Sequence, residues 1–465
     1  MRMKPKILFA VTGQEFVRNY FSTAALAALE AEADVTFLVS DRLTDPAPVT
    51  SGNRKVLFFR SDPRKTKAQM NIYKVLMWRF RHLSSTFRFR ADRIFAPKRA
   101  YQPWRPDTIL KNFDAFRERL GIAYRRLRLR ILGSRLVFPL YRRMFIDTLK
   151  PSPDIAAAFA QVRPDLLVAP SNAYEPDGNE MILQAQKDGV PSLFLIDNWD
   201  NLSSKAVLMQ RPDHLAVWGE QTLGHATDIQ SYDAADVTIL GTPRFDAYFE
   251  ARDTELPSPF DHPYILFLGT SLAFDEVEAL KHIDAIMSAD PVRWQGVKLV
   301  YRPHPWRQSR DTIADTRLEN VILDPQLADR HLTGERHTGF QPDLSWYPRL
   351  LANAEFTLGG LTSMLIEATI FGKQFVALTY DDGKHVTNQK TVLERSEHFR
   401  GVERIHTVSF CREKSDVEPL MRAAWDGRKT IDRDRVDRER NYILFHDGKA
   451  YDRRLAELCA SLLEE

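Results

Sequence analysis

Cysteine is nearly missing: Cys411 and Cys459 are the two in 465 residues, so no disulfide framework supports the fold and a reducing compartment is expected. Long apolar runs are missing too. The stretch Lys4 to Gly13 is too short for a signal peptide or a membrane span, and no other window is long enough for a transmembrane helix, so any membrane contact is expected to be peripheral. Neither an internal repeat nor a low-complexity tract interrupts the chain. Asp432-Arg433-Asp434 has the spacing of a metal-binding pair, but it lies in a charge-rich segment that reads as a solvated helix, and no metal ligand is assigned. What is present is enough for two cores: 44% of residues are hydrophobic, and the length suggests two domains of ordinary size.

The net charge of +3 conceals an asymmetry. Between Arg79 and Arg143 stand eighteen Lys or Arg against four Asp or Glu, a local balance of +14 that leaves −11 for the rest. Around this block the pattern is alternately strand and helix. Apolar runs at Ile7 to Val11, Val35 to Val39 and Val56 to Phe59 open a parallel α/β domain. Long Arg- and aromatic-rich helical stretches from about residue 65 to 150, broken by Pro97, Pro103 and Pro106, read as an insertion. Strand signals return at Asp165 to Pro170, Ser192 to Ile196, His214 to Trp218 and Val237 to Leu240, closing a first domain near residue 250. Glu255-Leu256-Pro257-Ser258-Pro259 reads as a linker. A second α/β unit starts at Tyr264 and runs over about 257–440, and the segment 441–465 ends in a helix expected to pack back on the first domain.

The most informative run is Tyr301-Arg302-Pro303-His304-Pro305, followed at a distance by Gly359-Gly360-Leu361-Thr362-Ser363 and then Glu367. A short strand ending at Tyr301 delivers Arg302 and His304 to its carboxyl end. The second strand breaks at two glycines and re-enters as a helix whose first turn carries Thr362 and Ser363. Together these suit the diphosphate of a nucleotide, with Glu367 one turn further on placed to accept from ribose hydroxyls. Gly269, Thr270 and Gly360 belong to the same expected donor site.

Several short segments resemble one family in order. Trp199-Asp200-Asn201-Leu202-Ser203-Ser204-Lys205, Gly241-Thr242-Pro243-Arg244-Phe245-Asp246, Arg302-Pro303-His304-Pro305, Gly360-Leu361-Thr362-Ser363-Met364, Phe371-Gly372-Lys373 and Asp447-Gly448-Lys449-Ala450-Tyr451-Asp452-Arg453 resemble the GT-B glycosyltransferases of bacterial surface polysaccharides, including the CDP-glycerol glycerophosphotransferases. The resemblance implies two doubly wound Rossmann-type domains facing across a cleft, and a CMP-, CDP- or UDP-sugar as donor. It also implies a growing surface glycan as acceptor, and the basic insertion adds the expectation of a lipid-linked acceptor at the cytoplasmic face of the membrane. Asp200 stands where the phosphotransferases have His, and Glu367 where they have Asp, which favours sugar transfer over glycerol phosphate transfer.

Sugar transfer places growing negative charge on the departing phosphate and, with inversion, needs a base for the acceptor hydroxyl. Arg302, His304 and the Thr362-Ser363 turn answer the first need without a metal or cofactor. Asp200 is the first candidate base and Glu15, in the loop after the first strand, its rival. Glu175 and Asp177 follow; Glu175, Asn201, Lys205 and Arg244 are candidates for holding acceptor or sugar. His385 and Asn388 are weaker candidates. The alternatives are a glycerol- or ribitol-phosphate transferase, a UDP-N-acetylglucosamine 2-epimerase-like enzyme and a non-catalytic nucleotide-sugar or nucleic-acid binder. In the basic insertion, Arg125 to Leu132 with Tyr73, Trp78, Phe87, Phe89 and Trp104 nearby mixes cations and apolar side chains as interfacial segments do. A peripheral membrane contact through residues 79–143 is therefore favoured over a solvated face or a nucleic-acid surface, and no nucleic acid is expected.

Overall fold

The computed structural model describes residues 4–96, 109–148, 150–305, 313, 316–328 and 345–464. Two compact units share them. One takes the chain through Arg244 together with Ser396–His398 and Phe445–Glu465; the other takes Phe245–Arg395 and Phe399–Leu444.

The first unit is built on seven parallel strands in the order β3-β2-β1-β4-β5-β6-β7: β1 Lys6–Val11, β2 Asp34–Ser40, β3 Lys55–Phe59, β4 Leu166–Ser171, β5 Ser192–Ile196, β6 His214–Val217 and β7 Val237–Ile239. The central strands are apolar without alternation because helices cover both faces of the sheet: every residue of β4 and β5 is buried. On one face Phe9, Phe37 and Val168 share a core with the helix Tyr451–Glu464, whose Tyr451, Leu455 and Cys459 complete it beside Leu29 and Val39. On the other face Ile155, Phe159, Met181 and Ile182 meet Leu8, Leu167 and Phe194.

Between β3 and β4 the described residues form five helices: Pro63–Arg79, Ser85–Ile94, Ile109–Leu132 and Phe138–Thr148, which make up the insertion, and Pro153–Val162, which packs on the sheet. Asp62 and Ser84 start the first two by accepting from free backbone N–H groups, Ser84 from Thr86 and Phe87. The Ser84 hydroxyl also donates to the Ser203 carbonyl at 2.7 Å. This insertion has its own core of Ile72, Leu76, Phe87, Ile122 and Leu129, closed by Ala206 and Met209 from the loop after β5. Tyr73, Phe87 and Phe89 are buried, so these aromatics are core residues and not the interfacial set the sequence suggests. Trp104 lies outside the described residues.

The second unit has six parallel strands in the order β10-β9-β8-β11-β12-β13: β8 Tyr264–Leu268, β9 Lys298–Arg302, β10 Val321–Leu323, β11 Thr357–Gly359, β12 Phe375–Leu378 and β13 Val408–Cys411. Strands β10 and β13 are not anticipated from the sequence; both are edge strands, β10 partly buried throughout and β13 partly buried at its two central residues. In both units the order reverses beside the first strand, at β1/β4 and at β8/β11. Loops leaving the carboxyl ends of those neighbours diverge, which makes a crevice for ligands.

Candidate functional site

In the first unit carboxylates follow the carboxyl ends of neighbouring strands: Glu15 after β1, Glu175 after β4, and Asp197 and Asp200 after β5. Glu175 follows β4 and stands at the N-cap position of the helix Pro176–Asp188. Its Oε2 accepts from the backbone N–H of Asn172 at 3.0 Å and of Tyr174 at 3.2 Å, while Oε1 is buried. Burial pushes its pKa to about 7, against the pull of the Ser171 hydroxyl and the backbone N–H groups. Between them Ala173 holds a left-handed φ of 63°, a conformation that costs a non-glycine residue energy and fixes the loop's course. Asp177 is tied down elsewhere: the Ser61 hydroxyl donates to it at 2.5 Å, and burial raises its pKa.

Glu15 stands in the first turn of the helix Gln14–Phe21, and its charge acts on Asp197 just beyond β5. Asp197 accepts from Asn19 Nδ2 at 2.8 Å. Burial first and Glu15 second push its pKa to about 6, while Asn19, Arg18 and Arg244 pull it back. The structure therefore joins two sequence candidates, Glu15 and Arg244, through a residue that no sequence signal singles out.

Asp200 belongs to a different cluster. Its Oδ2 accepts from the Ser204 hydroxyl at 2.6 Å and its Oδ1 from Asn201 Nδ2 at 3.4 Å. Burial alone would raise its pKa, but His398, Lys205, the Ser204 hydrogen bond and Arg90 together hold it below the ordinary value. Arg90 donates to the Ser204 carbonyl. His398 arrives from a distant part of the chain, edge-on to Trp199 at 5.2 Å, and its carbonyl accepts from Gln221 at 2.9 Å. Burial lowers the His398 pKa although Asp200 opposes this. His225, buried beside it, is pushed down to about 4, again chiefly by burial. Neither histidine sits in a recognisable motif; only the fold brings them to Asp200.

In the second unit the glycines serve close packing. A Cβ on Gly359 would lie 2.1 Å from the Leu268 carbonyl oxygen, one on Gly269 would lie 2.6 Å from the His304 nitrogen, and one on Gly360 would lie 2.6 Å from the Thr270 side chain. The loops after β8, β9 and β11 are thereby in direct contact. Thr270 is buried, donating to the Leu361 carbonyl at 2.6 Å and, through its backbone, to Glu276 at 2.7 Å, so it holds the loops together. Thr362 and Ser363 are partly exposed at the start of the helix Met364–Ile370, and Ser363 makes no side-chain cap hydrogen bond. His304 is likewise partly exposed.

Arg302 and Glu367 are turned inward. The Arg302 guanidinium lies over the Tyr347 ring, 4.7 Å from its centre, and donates to its hydroxyl through Nε at 3.0 Å and Nη2 at 2.6 Å. Burial opposes its charge, but Tyr347, Asp324 and Glu367 more than compensate. Glu367 is 1% exposed and accepts from the Tyr248 hydroxyl at 3.1 Å. Asn388 caps the following helix by accepting from the Thr391 N–H at 3.0 Å, and His385 pairs with Asp382 at 2.7 Å. Asp432 caps the helix Arg433–Arg440. Among the described residues no group of three or more His, Cys, Asp or Glu is placed to hold a metal ion.

No protein-family model matches the chain, and no curated protein sequence is similar to it; the narrower resemblance to CDP-glycerol glycerophosphotransferases thus finds no support. Solved structures do match over nearly the whole length. One, from Listeria monocytogenes and assigned as a UDP-N-acetylglucosamine 2-epimerase, is 12% identical with a TM-score of 0.54, covering 99% of this chain and 98% of that one. The glycotransferase of kitacinnamycin is 13% identical with a TM-score of 0.51, covering 99% of each chain. A further UDP-N-acetylglucosamine 2-epimerase is 13% identical with a TM-score of 0.50, covering 99% of this chain and 98% of that one. At such identities the likeness defines the fold: two Rossmann-type units of the GT-B kind.

Proposed function

We propose that the chain is a glycosyltransferase that moves a sugar from a nucleotide donor to a lipid-linked or growing glycan. The observation that carries this reading is the carboxylate set after the first unit's strands, where Asp197 and Glu175 are poised at about 6 and about 7. A base must be ionised at working pH yet basic enough to take a hydroxyl proton, and groups near neutrality suit that task. The Glu15–Asp197 pair takes the acceptor proton as the acceptor oxygen bonds to the anomeric carbon. The bond to the phosphate breaks, and its electron pair stays on the phosphate oxygen. Asp200, held ionised by its cationic neighbours, is the poorer base and serves to orient the acceptor with Asn201 and Lys205.

On the donor side, the partly exposed His304, Thr362 and Ser363, which follow the carboxyl ends of β9 and β11, receive the diphosphate in this reading. Arg302 acts behind them by positioning, since Tyr347 holds its guanidinium. A second reading, a nucleotide-sugar 2-epimerase, is favoured by two of the three solved structures above and by Glu175, which near pH 7 both takes and returns a proton. Product analysis separates the two: transfer consumes acceptor and releases nucleotide, whereas epimerisation leaves an altered sugar nucleotide. A thermal-shift screen with CMP, CDP, UDP and GDP identifies the donor class first. His304→Ala is expected to lower donor turnover by about a hundredfold or more with an unchanged melting point; unaltered turnover would reject the donor site.

A further inference from the structure

The helix Ile109–Leu132 buries one face and leaves an apolar stripe on the other. Ala115, Ile122 and Leu129 are buried. Ile109, Phe113, Phe116, Leu120, Tyr124, Leu127 and Ile131 are each at least half exposed, and they recur at the three- and four-residue steps that place them on one line. Leu136, just before the next helix, and Leu140 and Met144 within it are also exposed apolar residues. Single exposed apolar residues are ordinary, but a continuous stripe of this length marks an interaction surface.

The geometry points to an anionic lipid bilayer as the partner. At about 100° per residue, Arg117 and Arg128 border the stripe on one side and Arg119 and Arg130 on the other, all exposed. The acids of this helix, exposed Asp114 and partly buried Glu118, lie beyond the arginines and away from the stripe. Arg135, Arg142 and Arg143, close to Leu136, Leu140 and Met144 in sequence, are exposed as well. An apolar strip rimmed by guanidinium groups inserts shallowly below lipid headgroups while its cations meet their phosphates. A protein partner would be expected to supply carboxylates to this rim, and a nucleic acid would leave the apolar strip in water. No helix among the described residues is long and apolar enough to cross a membrane, so the contact lies at the surface.

Lipid binding stands apart from the reaction proposed above, and its test does not depend on donor turnover. The full chain is floated with phosphatidylcholine vesicles, with or without about a third phosphatidylglycerol. The wild type should float with the anionic vesicles and remain behind with the neutral ones. The variant Phe113→Glu/Leu120→Glu/Leu127→Glu should lose binding by roughly tenfold or more with its melting point retained. Arg117→Gln/Arg128→Gln, which leaves the apolar stripe intact, should weaken preference for anionic vesicles. Equal flotation of wild type and the triple variant overturns the inference. So does RNA binding without vesicle binding, or self-association in sedimentation velocity that the triple variant abolishes while vesicles bind neither protein.

Discussion

At the residue scale the protein sets its carboxylates apart by environment. Asp197 and Asp200 follow the same strand, yet burial beside Glu15 raises one, while His398, Lys205 and Arg90 lower the other in spite of burial. If Asp197 is the base, transfer should rise with pH through about 6, because the ionised form is the active one. Asp197→Asn should remove that limb and lower kcat by roughly a hundredfold; a wild-type limb below about 4 would indicate Asp200 instead. Glu175 makes a separate prediction for stability. Its folded pKa of about 7 exceeds the ordinary value of 4.5, so the folded protein keeps a proton that the unfolded chain has released. Stability from this group is full below about pH 4.5 and is lost as pH rises through 7. Glu175→Gln should therefore raise the melting point by about 3 °C at about pH 8 and leave it unchanged at about pH 4.

Elements owe their positions to a few tight approaches. Gly359 adopts a φ of 153° and leaves no room for a Cβ against Leu268. Gly359→Ala should cost about 3 kcal/mol or more in urea unfolding, since the obstacle is backbone and cannot rotate away. Gly241 has a similar role in the first unit: its added Cβ would meet the Phe445 carbonyl oxygen at 2.7 Å, so the Gly241 turn and the chain before Asp447 are packed together. Two segments singled out in sequence for a family resemblance are thus neighbours in one unit. Their glycines were legible as punctuation; what they pack against was not, because the partner comes from far along the chain.

For the whole molecule, the two cores can be followed independently. Cys459 is buried in the first unit and Cys411 in the second, and burial pushes each thiol up to about 12. Neither should react with Ellman's reagent in the native protein, and each should become reactive as its own core opens in denaturant. Labelling of either thiol under native conditions would contradict the packing described. The sequence by itself determined the α/β class, most strands and the glycine breaks at the crevices, because apolar runs and turn residues act over a few neighbours. Only the tertiary structure decided that Arg302 and Glu367 face inward, that Asp197 joins Glu15, and that His398 reaches Asp200. Burial and charge at a site depend on groups remote in the chain, and local pattern does not encode their distance.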